Sequence, residues 1–301
     1  MIQILELFGG IGSPRKGLLN LGIPVKSIDY IEIDLKAVNS YNEIFRKELE
    51  YKTQSVVGYN LKPDFLIHGS PCQDFSIAGM QQGADEGTET RSSLMWETIN
   101  IIKQMGEWKP KIVIWENVKN VLSKHMRHNF NRYIEEMDKL GYTSNYEVLN
   151  AMDFGLPQNR DRVFTISCLD GTLFNFKTLE RKPMVNLKEF LENDVSEEYT
   201  VTQPSILNAI GGKGIKRATI INDFCYTITE RQDRCPAQII ALGSGKYRFL
   251  TDKECWLVQG YTEKDYLNAK KVSSKRTLYK QAGNSIPVPI FESIFKQILN
   301  I

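Results

Sequence analysis

Cys72 stands where a thiol could serve as a nucleophile, within Asp64-Phe65-Leu66-Ile67-His68-Gly69-Ser70-Pro71-Cys72-Gln73-Asp74-Phe75-Ser76. The apolar run Phe65-Leu66-Ile67 reads as a buried strand, and Gly69-Ser70-Pro71 ends it abruptly. The thiol is thereby carried to the lip of a sheet, where open α/β sheets keep their ligand crevice. A long loop with Gly79, Gly83 and Gly87 follows and would form a lid. Free cysteine also packs well as a small hydrophobe, so this stretch alone leaves a structural thiol open. Glu116, in Trp115-Glu116-Asn117-Val118, follows a second buried strand and would share the edge with Cys72 if the two strands are neighbours. Gln158-Asn159-Arg160-Asp161-Arg162 puts two arginines two apart at the start of a strand, hence on one side of it. Taken singly, Glu116 and Asn117 could cap a helix and Arg162 could pair with a nearby acid.

A second constellation suits a ligand rather than a reaction. Residues 2–8 are an apolar run broken by Gly9-Gly10-Ile11-Gly12-Ser13-Pro14, after which Leu18, Leu19 and Leu21 resume with helical spacing. Glycines in such a turn let backbone approach a ligand, and the following helix N-terminus offers free N–H groups to an anion. Glu32 lies 20 residues after Gly12, at the end of a second strand, Val25 to Ile31. At that spacing a Rossmann-like fold places a ribose-binding carboxylate, which favours an adenosine-bearing cofactor over a merely surface glutamate.

These groups need a sheet to hold them, and the chain supplies one. Helices are expected at 36–50, 93–106 and 126–141, and strands at 64–68, Lys111–Trp115, Tyr146–Met152 and Arg162–Ser167, an α/β pattern with a mostly parallel sheet. The character changes near Gly171. Short β-like pieces (Tyr199-Thr200-Val201, Ala218–Ile221, Tyr226-Thr227-Ile228, Ile239-Ile240) then lie among glycine, proline and charge, as in a small irregular β-rich second domain. Short helical segments are expected at 252–260 and 274–282, with Gln281–Pro287 as a turn before a last helix, Val288 to Leu299. The expected division is 1–170, 171–277 and a returning segment 278–301.

Composition sets outer limits. The 301 residues are 42% hydrophobic and 25% charged, as in a soluble globular protein, and no apolar run approaches the roughly 20 residues of a membrane span. The N-terminal Met1-Ile2-Gln3-Ile4-Leu5-Glu6 reads as the first strand and not as a signal peptide. Five scattered cysteines without a CxxC pair argue against disulfides and zinc, and His125 with His128 lacks further ligands, so no metal is expected. The net charge of +2 hides a split, because residues 171–277 carry 17 basic and 13 acidic side chains. Lys119, Lys124, Arg127 and Arg132 form a further basic cluster, either a solvated helix face or a phosphate-contacting surface.

In order along the chain, Phe8-x-Gly10-x-Gly12, Glu32, Gly69-Ser70-Pro71-Cys72-Gln73, Glu116-Asn117-Val118, Gln158-x-Arg160-x-Arg162, Leu250-Thr251-Asp252-Lys253-Glu254, Gln259-Gly260 and Gln281-x-Gly283-Asn284-Ser285 resemble the DNA (cytosine-5) methyltransferase family of bacterial or phage type. The resemblance spans nearly the whole chain except about 80 residues of the second domain. It implies an S-adenosylmethionine-dependent Rossmann-like sheet, with Cys72 as nucleophile, Glu116 as the acid at ring nitrogen 3, and Arg160 and Arg162 supporting base and charge. Phe8, Gly10, Gly12, Glu32, Ile33, Pro71, Asn284 and Ser285 would hold S-adenosylmethionine. Gln73, Ser76, Gln81, Arg91 and Asn117 would meet double-stranded DNA, with the target base flipped out and residues 171–277 reading the sequence. The loop 74–91 is acidic (Asp74, Asp85, Glu86 and Glu89 against Arg91), and Ser55-Val56 stands where the family commonly has Asp-Ile. The resemblance further implies a monomer in the cytoplasm of a bacterial cell or phage-infected host, with a cognate restriction endonuclease as a candidate partner. The alternatives are a tRNA cytosine-5 methyltransferase, against which Asp74-Phe75-Ser76 speaks, and a non-catalytic cofactor- or DNA-binding regulator, against which Cys72, Glu116 and Arg162 speak.

Overall fold

The computed structural model describes residues 1–45, 53, 56, 63–70 and 94–301. Ser55, Pro71, Cys72, Gln73, Ser76, Gln81 and Arg91 lie outside the described residues. The first half alternates as expected: β1 (Ile2–Leu7), α1 (Ser13–Asn20), β2 (Val25–Ile31), α2 (Leu35–Ile44), β3 (Phe65–His68), α3 (Met95–Met105), β4 (Ile112–Val118), α4 (Arg127–Lys139), β5 (Thr143–Asn150), β6 (Gln158–Asn159) and β7 (Asp161–Cys168).

One six-stranded sheet carries the order β2-β1-β3-β4-β7-β5. Strands β2, β1, β3 and β4 pair in parallel, whereas β7 runs antiparallel to both β4 and β5. The reversal has a local cause. Between β5 and β7 lie only a 3₁₀ turn (Ala151–Asp153) and the two-residue β6, and a parallel return needs a crossover of a dozen or more residues. The central strands read as apolar runs because both faces are covered. Leu66, Val113 and Trp115 pack with Ile99, Ile102 and Phe130 of α3 and α4. On the other face, Ile67, Ile114 and Phe164 pack under the C-terminal helix, whose Ile290 and Ile294 form the expected stripe.

The second half continues with α5 (Pro204–Leu207), β8 (Ala218–Ile220), β9 (Cys225–Tyr226), β10 (Ala237–Gly243), β11 (Lys246–Phe249), α6 (Asp252–Leu257), α7 (Glu263–Lys270), α8 (Lys275–Asn284) and α9 (Val288–Leu299). A small sheet, β11-β10-β8, encloses its own apolar cluster of Val201, Ile206, Ala218, Ala237, Ile239 and Phe249. The stretches flanking it pack elsewhere. Phe174, Phe176 and Leu179 join the layer beneath α9, and Trp256, Tyr266 and Leu278 join Ile11.

Three local expectations change. Residues Glu197–Tyr199 form a 3₁₀ turn in place of a strand, leaving Thr200 as an isolated bridge to Arg248. Helix α7 lacks a strong apolar stripe and was not expected; Thr262 and Asp265 start it with a reciprocal capping box. Helix α8 runs through Gly283 to Asn284, so the expected turn begins only at Ser285. A Cβ at Gly283 would lie 2.5 Å from the backbone of Thr229 and Glu230, so glycine serves a close approach here and not a helix stop. No helix among the described residues is long and apolar enough to cross a membrane.

Candidate active site

Strands β3 and β4 are neighbours, with His68 opposite Trp115. Strand β4 runs three residues beyond the expected Trp115, so Glu116 is held inside the ladder and does not follow it. Val118 pairs with Arg162 on β7, which sets Arg162 two positions from Glu116 on the same face. Arg162 Nε lies 3.1 Å from Glu116 Oε1. The other oxygen, Oε2, faces the turn at the end of β3, since a Cβ on Gly69 would sit 3.5 Å from it. Burial raises the Glu116 pKa above the ordinary carboxylate value, partly offset by the charges of Arg162 and Arg160. One oxygen is thus oriented by a cation, while burial favours a proton on the carboxyl group.

The turn that leads to Cys72 is fixed from β4. Ser70 Oγ accepts from the Trp115 indole N–H at 3.1 Å and from the Asn117 amide at 3.4 Å, and the same amide reaches the Ser70 carbonyl. Asn117, expected at the DNA, is 2% exposed here, and its amide oxygen accepts from Val118 N–H. Strand alternation explains the division, because Trp115 and Asn117 share one face and Glu116 takes the other. Burial pulls the His68 pKa down to about 3, and its Nε2 lies 2.9 Å from the Tyr133 hydroxyl.

The two arginines part company. The chain breaks between β6 and β7 at Arg160, so strand alternation does not apply there. The Arg160 guanidinium donates to the carbonyls of Ile228 (3.0 Å), Gly283 (2.8 Å) and Ser285 (2.9 Å). It clamps the Ile228 segment to the Gly283–Ser285 end of α8, and its charge lowers the Glu116 pKa. Gln158 assists, accepting from Ile228 N–H and donating to the Val258 carbonyl.

The expected cofactor residues gather at the other end of the same cleft. Phe8, Gly10, Asn284 and Ser285 line a cavity of about 70 Å³ together with Glu116 and Gly69. Glu32 stands behind this wall: Oε2 accepts from Gly10 N–H at 2.9 Å, and Oε1 from Ile33 and Asp34 N–H at 2.8 Å each. It therefore ties the glycine turn to the end of β2. Gly12 has φ +76°, and a Cβ there would meet Tyr41 and Phe45 at 2.6 Å, so no other residue fits. Helix α1 begins without a side-chain cap, and Ile33 is 77% exposed beside Glu32.

Sequence reasoning missed what supports this turn. Glu6 and Arg15 are each 1% exposed and joined through Tyr41, whose hydroxyl donates to Glu6 at 2.5 Å and accepts from Arg15 at 3.1 Å. Tyr30 stacks on Tyr41 and donates to the Gly10 carbonyl at 2.6 Å. The available signal was Glu6 itself, a carboxylate within an apolar strand, which buried sites tolerate only when bonded.

Comparison with known proteins shows the family and the fold. The family model for C-5 cytosine-specific DNA methylase matches residues 2–300. The Type II methyltransferase M2.ScrFI of Lactococcus lactis subsp. cremoris is 31% identical over 99% of both chains. M.Bsp6I of Bacillus sp. (strain RFL6), also a Type II methyltransferase, is 31% identical over 99% of this chain and all of its own. Among solved structures, the Dnmt2 methyltransferase of S. pombe shares the fold, with TM-score 0.79, 19% identity and 100% of both chains covered. The family model and the two Type II relatives, matched along nearly the whole chain, show the family: the chain belongs to the C-5 cytosine-specific DNA methylases, S-adenosylmethionine-dependent DNA (cytosine-5-)-methyltransferases.

Proposed function

We propose that the protein methylates carbon 5 of cytosine at a specific double-stranded DNA sequence, with Cys72 adding covalently to a base flipped out of the duplex. Carbon 5 is a poor nucleophile while the ring keeps its aromaticity. Attack of the Cys72 thiolate on carbon 6 forms a sulfur–carbon bond and makes carbon 5 enamine-like, provided ring nitrogen 3 takes a proton. Glu116 is the group to supply it: buried, with a raised pKa, Oε1 held by Arg162 and Oε2 toward Gly69. S-adenosylmethionine, when bound, supplies an electrophilic methyl group. Once carbon 5 carries the methyl group, nitrogen 3 returns its proton to Glu116, a water takes the proton from carbon 5, and Cys72 leaves as the thiolate, restoring the ring. A stacked base cannot reach a buried carboxyl, so a duplex substrate must present it flipped.

The residues fit that cofactor: the uncapped start of α1 for its carboxylate, Glu32 for ribose, exposed Ile33 for the adenine face, and the exposed Asn284 at the opposite wall. The observation that carries the reading is that acid and cofactor walls line one cavity. Sequence choice belongs to residues 171–277, whose own apolar core spans residues 201–249, and the chemistry to 1–170 with 278–301. The same proposal has the protein act as a cytoplasmic monomer alongside a cognate restriction endonuclease, a reading supported by its likeness to relatives named Type II methyltransferases. The test is methylation-sensitive sequencing of DNA and RNA from cells expressing the chain. Methylcytosine at one recurrent DNA sequence is expected. Modified RNA with unmodified DNA would overturn the choice of substrate, and neither modified would overturn the activity.

A further inference from the structure

The two walls of the cofactor cleft belong to distant parts of the chain, Phe8–Pro14 and Asn284–Ile286, and something must fix their spacing. Ser13, the first residue of α1, is 4% exposed and lines the cleft. The Ile286 N–H donates to Ser13 Oγ at 3.3 Å. Ser13 Oγ lies 2.8 Å from the Tyr261 hydroxyl, which donates to the Ile11 carbonyl at 3.4 Å. With the Ser13 proton directed to Tyr261, every group in this row donates onward: Ile286 to Ser13, Ser13 to Tyr261, Tyr261 to Ile11. The row begins on the far wall and ends in the glycine turn. Tyr261 is itself 3% exposed and packs on Trp256 at 5.2 Å between ring centroids, so its hydroxyl is held from behind by the apolar cluster of α6 and α8.

We propose that Ser13 and Tyr261 are positioning residues for S-adenosylmethionine, a hydrogen-bonded row that sets the separation of the glycine turn from the Asn284–Ile286 wall. Neither touches the reacting atoms, so they govern cofactor affinity and not the chemical step. Tyr261→Phe removes one hydroxyl and keeps the ring in its cluster; Ser13→Ala removes the other. Each variant should raise the dissociation constant and KM for S-adenosylmethionine about 3- to 10-fold, the scale of one or two lost uncharged hydrogen bonds. The kcat at saturating cofactor should stay within about 2-fold, and the double variant should exceed the worse single variant by little, since both break the same row. The measurements are calorimetric titration of the full chain with S-adenosylmethionine alone, and steady-state kinetics on duplex DNA. Thermal unfolding midpoints show whether each variant is folded at the assay temperature. Unchanged cofactor affinity in both folded variants would overturn the proposal, as would a fall in kcat with affinity preserved.

Discussion

The split between the two oxygens of Glu116 is the most consequential detail at the scale of single residues. Arg162 holds Oε1, and its cation favours the charged carboxylate, opposing the burial that favours the neutral acid. The sign of a perturbation follows. Replacing Arg162 by methionine removes the opposing charge, so the Glu116 pKa should rise further. In the proposed mechanism the acid is competent while protonated, so wild-type activity should fall as pH rises through its pKa. In Arg162→Met that high-pH limb of kcat/KM should move to higher pH, even though the rate at the optimum drops by about 10²-fold or more from lost orientation. A limb displaced to lower pH would contradict the assignment. Much of this site was legible in the sequence, because Glu116 and Arg162 sit beside recognisable strands. The hydrogen-bond partners of Asn117 and Arg160 were not legible in the sequence. The face Asn117 takes depends on β4 continuing three residues further, and the partners of Arg160 are backbone carbonyls far along the chain.

Among elements, the informative one is α8. The sequence Gln281-x-Gly283-Asn284-Ser285 reads as a turn because glycine and asparagine commonly stop helices, yet the helix continues through them. Tertiary packing overrides the local preference: α8 runs against residues 229–230, and only a residue without Cβ fits. Arg160 then joins Gly283 and Ser285 to Ile228 across that contact. Gly283→Ala improves helix propensity but forces backbone apart, so it should destabilise by about 1–3 kcal/mol, the usual cost of overpacking. Chemical denaturation measures this through the midpoint, and an unchanged or raised midpoint would show that the 229–230 segment yields freely. The parallel core strands and α9 were readable from apolar runs and periodicity. The reversal of β7 was not, because strand direction is set by the length of the connection and not by composition.

The whole molecule places a self-contained small sheet on a body that otherwise interleaves distant segments. Its own apolar cluster spans residues 201–249, while the helices that follow it pack back on the glycine turn. Composition suggests a change of character near Gly171, but it could not show that Phe174, Phe176 and Leu179 pack on the larger body. Base readout needs side chains at groove edges, whereas phosphate contacts only position a protein. Grafting residues 201–249 of another family member should therefore change the methylated sequence. Substituting Lys124 should at most weaken methylation of all sites alike. The other members of that basic cluster are engaged within the chain, Lys119 with Asp161 (3.0 Å), Arg127 with the Tyr146 hydroxyl (2.6 Å) and Arg132 over the Trp96 ring. Sequencing DNA methylated by each variant decides the matter, and a chimera that keeps the original site would move recognition to the larger body.

Covalent addition by Cys72 is the step on which the proposed function rests, and it can be captured. Duplex DNA carrying 5-fluorocytosine at the methylated position accepts the thiol and the methyl group but has no proton on carbon 5 to lose, so the sulfur–carbon bond should persist. Incubated with S-adenosylmethionine, the protein should form an adduct that survives denaturing electrophoresis, with the DNA mapped by mass spectrometry to Cys72. Cys72→Ser should still bind cofactor and DNA yet give neither adduct nor turnover, because a serine hydroxyl has no comparable anion at neutral pH. An adduct retained by Cys72→Ser, or substantial methyl transfer by that variant, would contradict the mechanism.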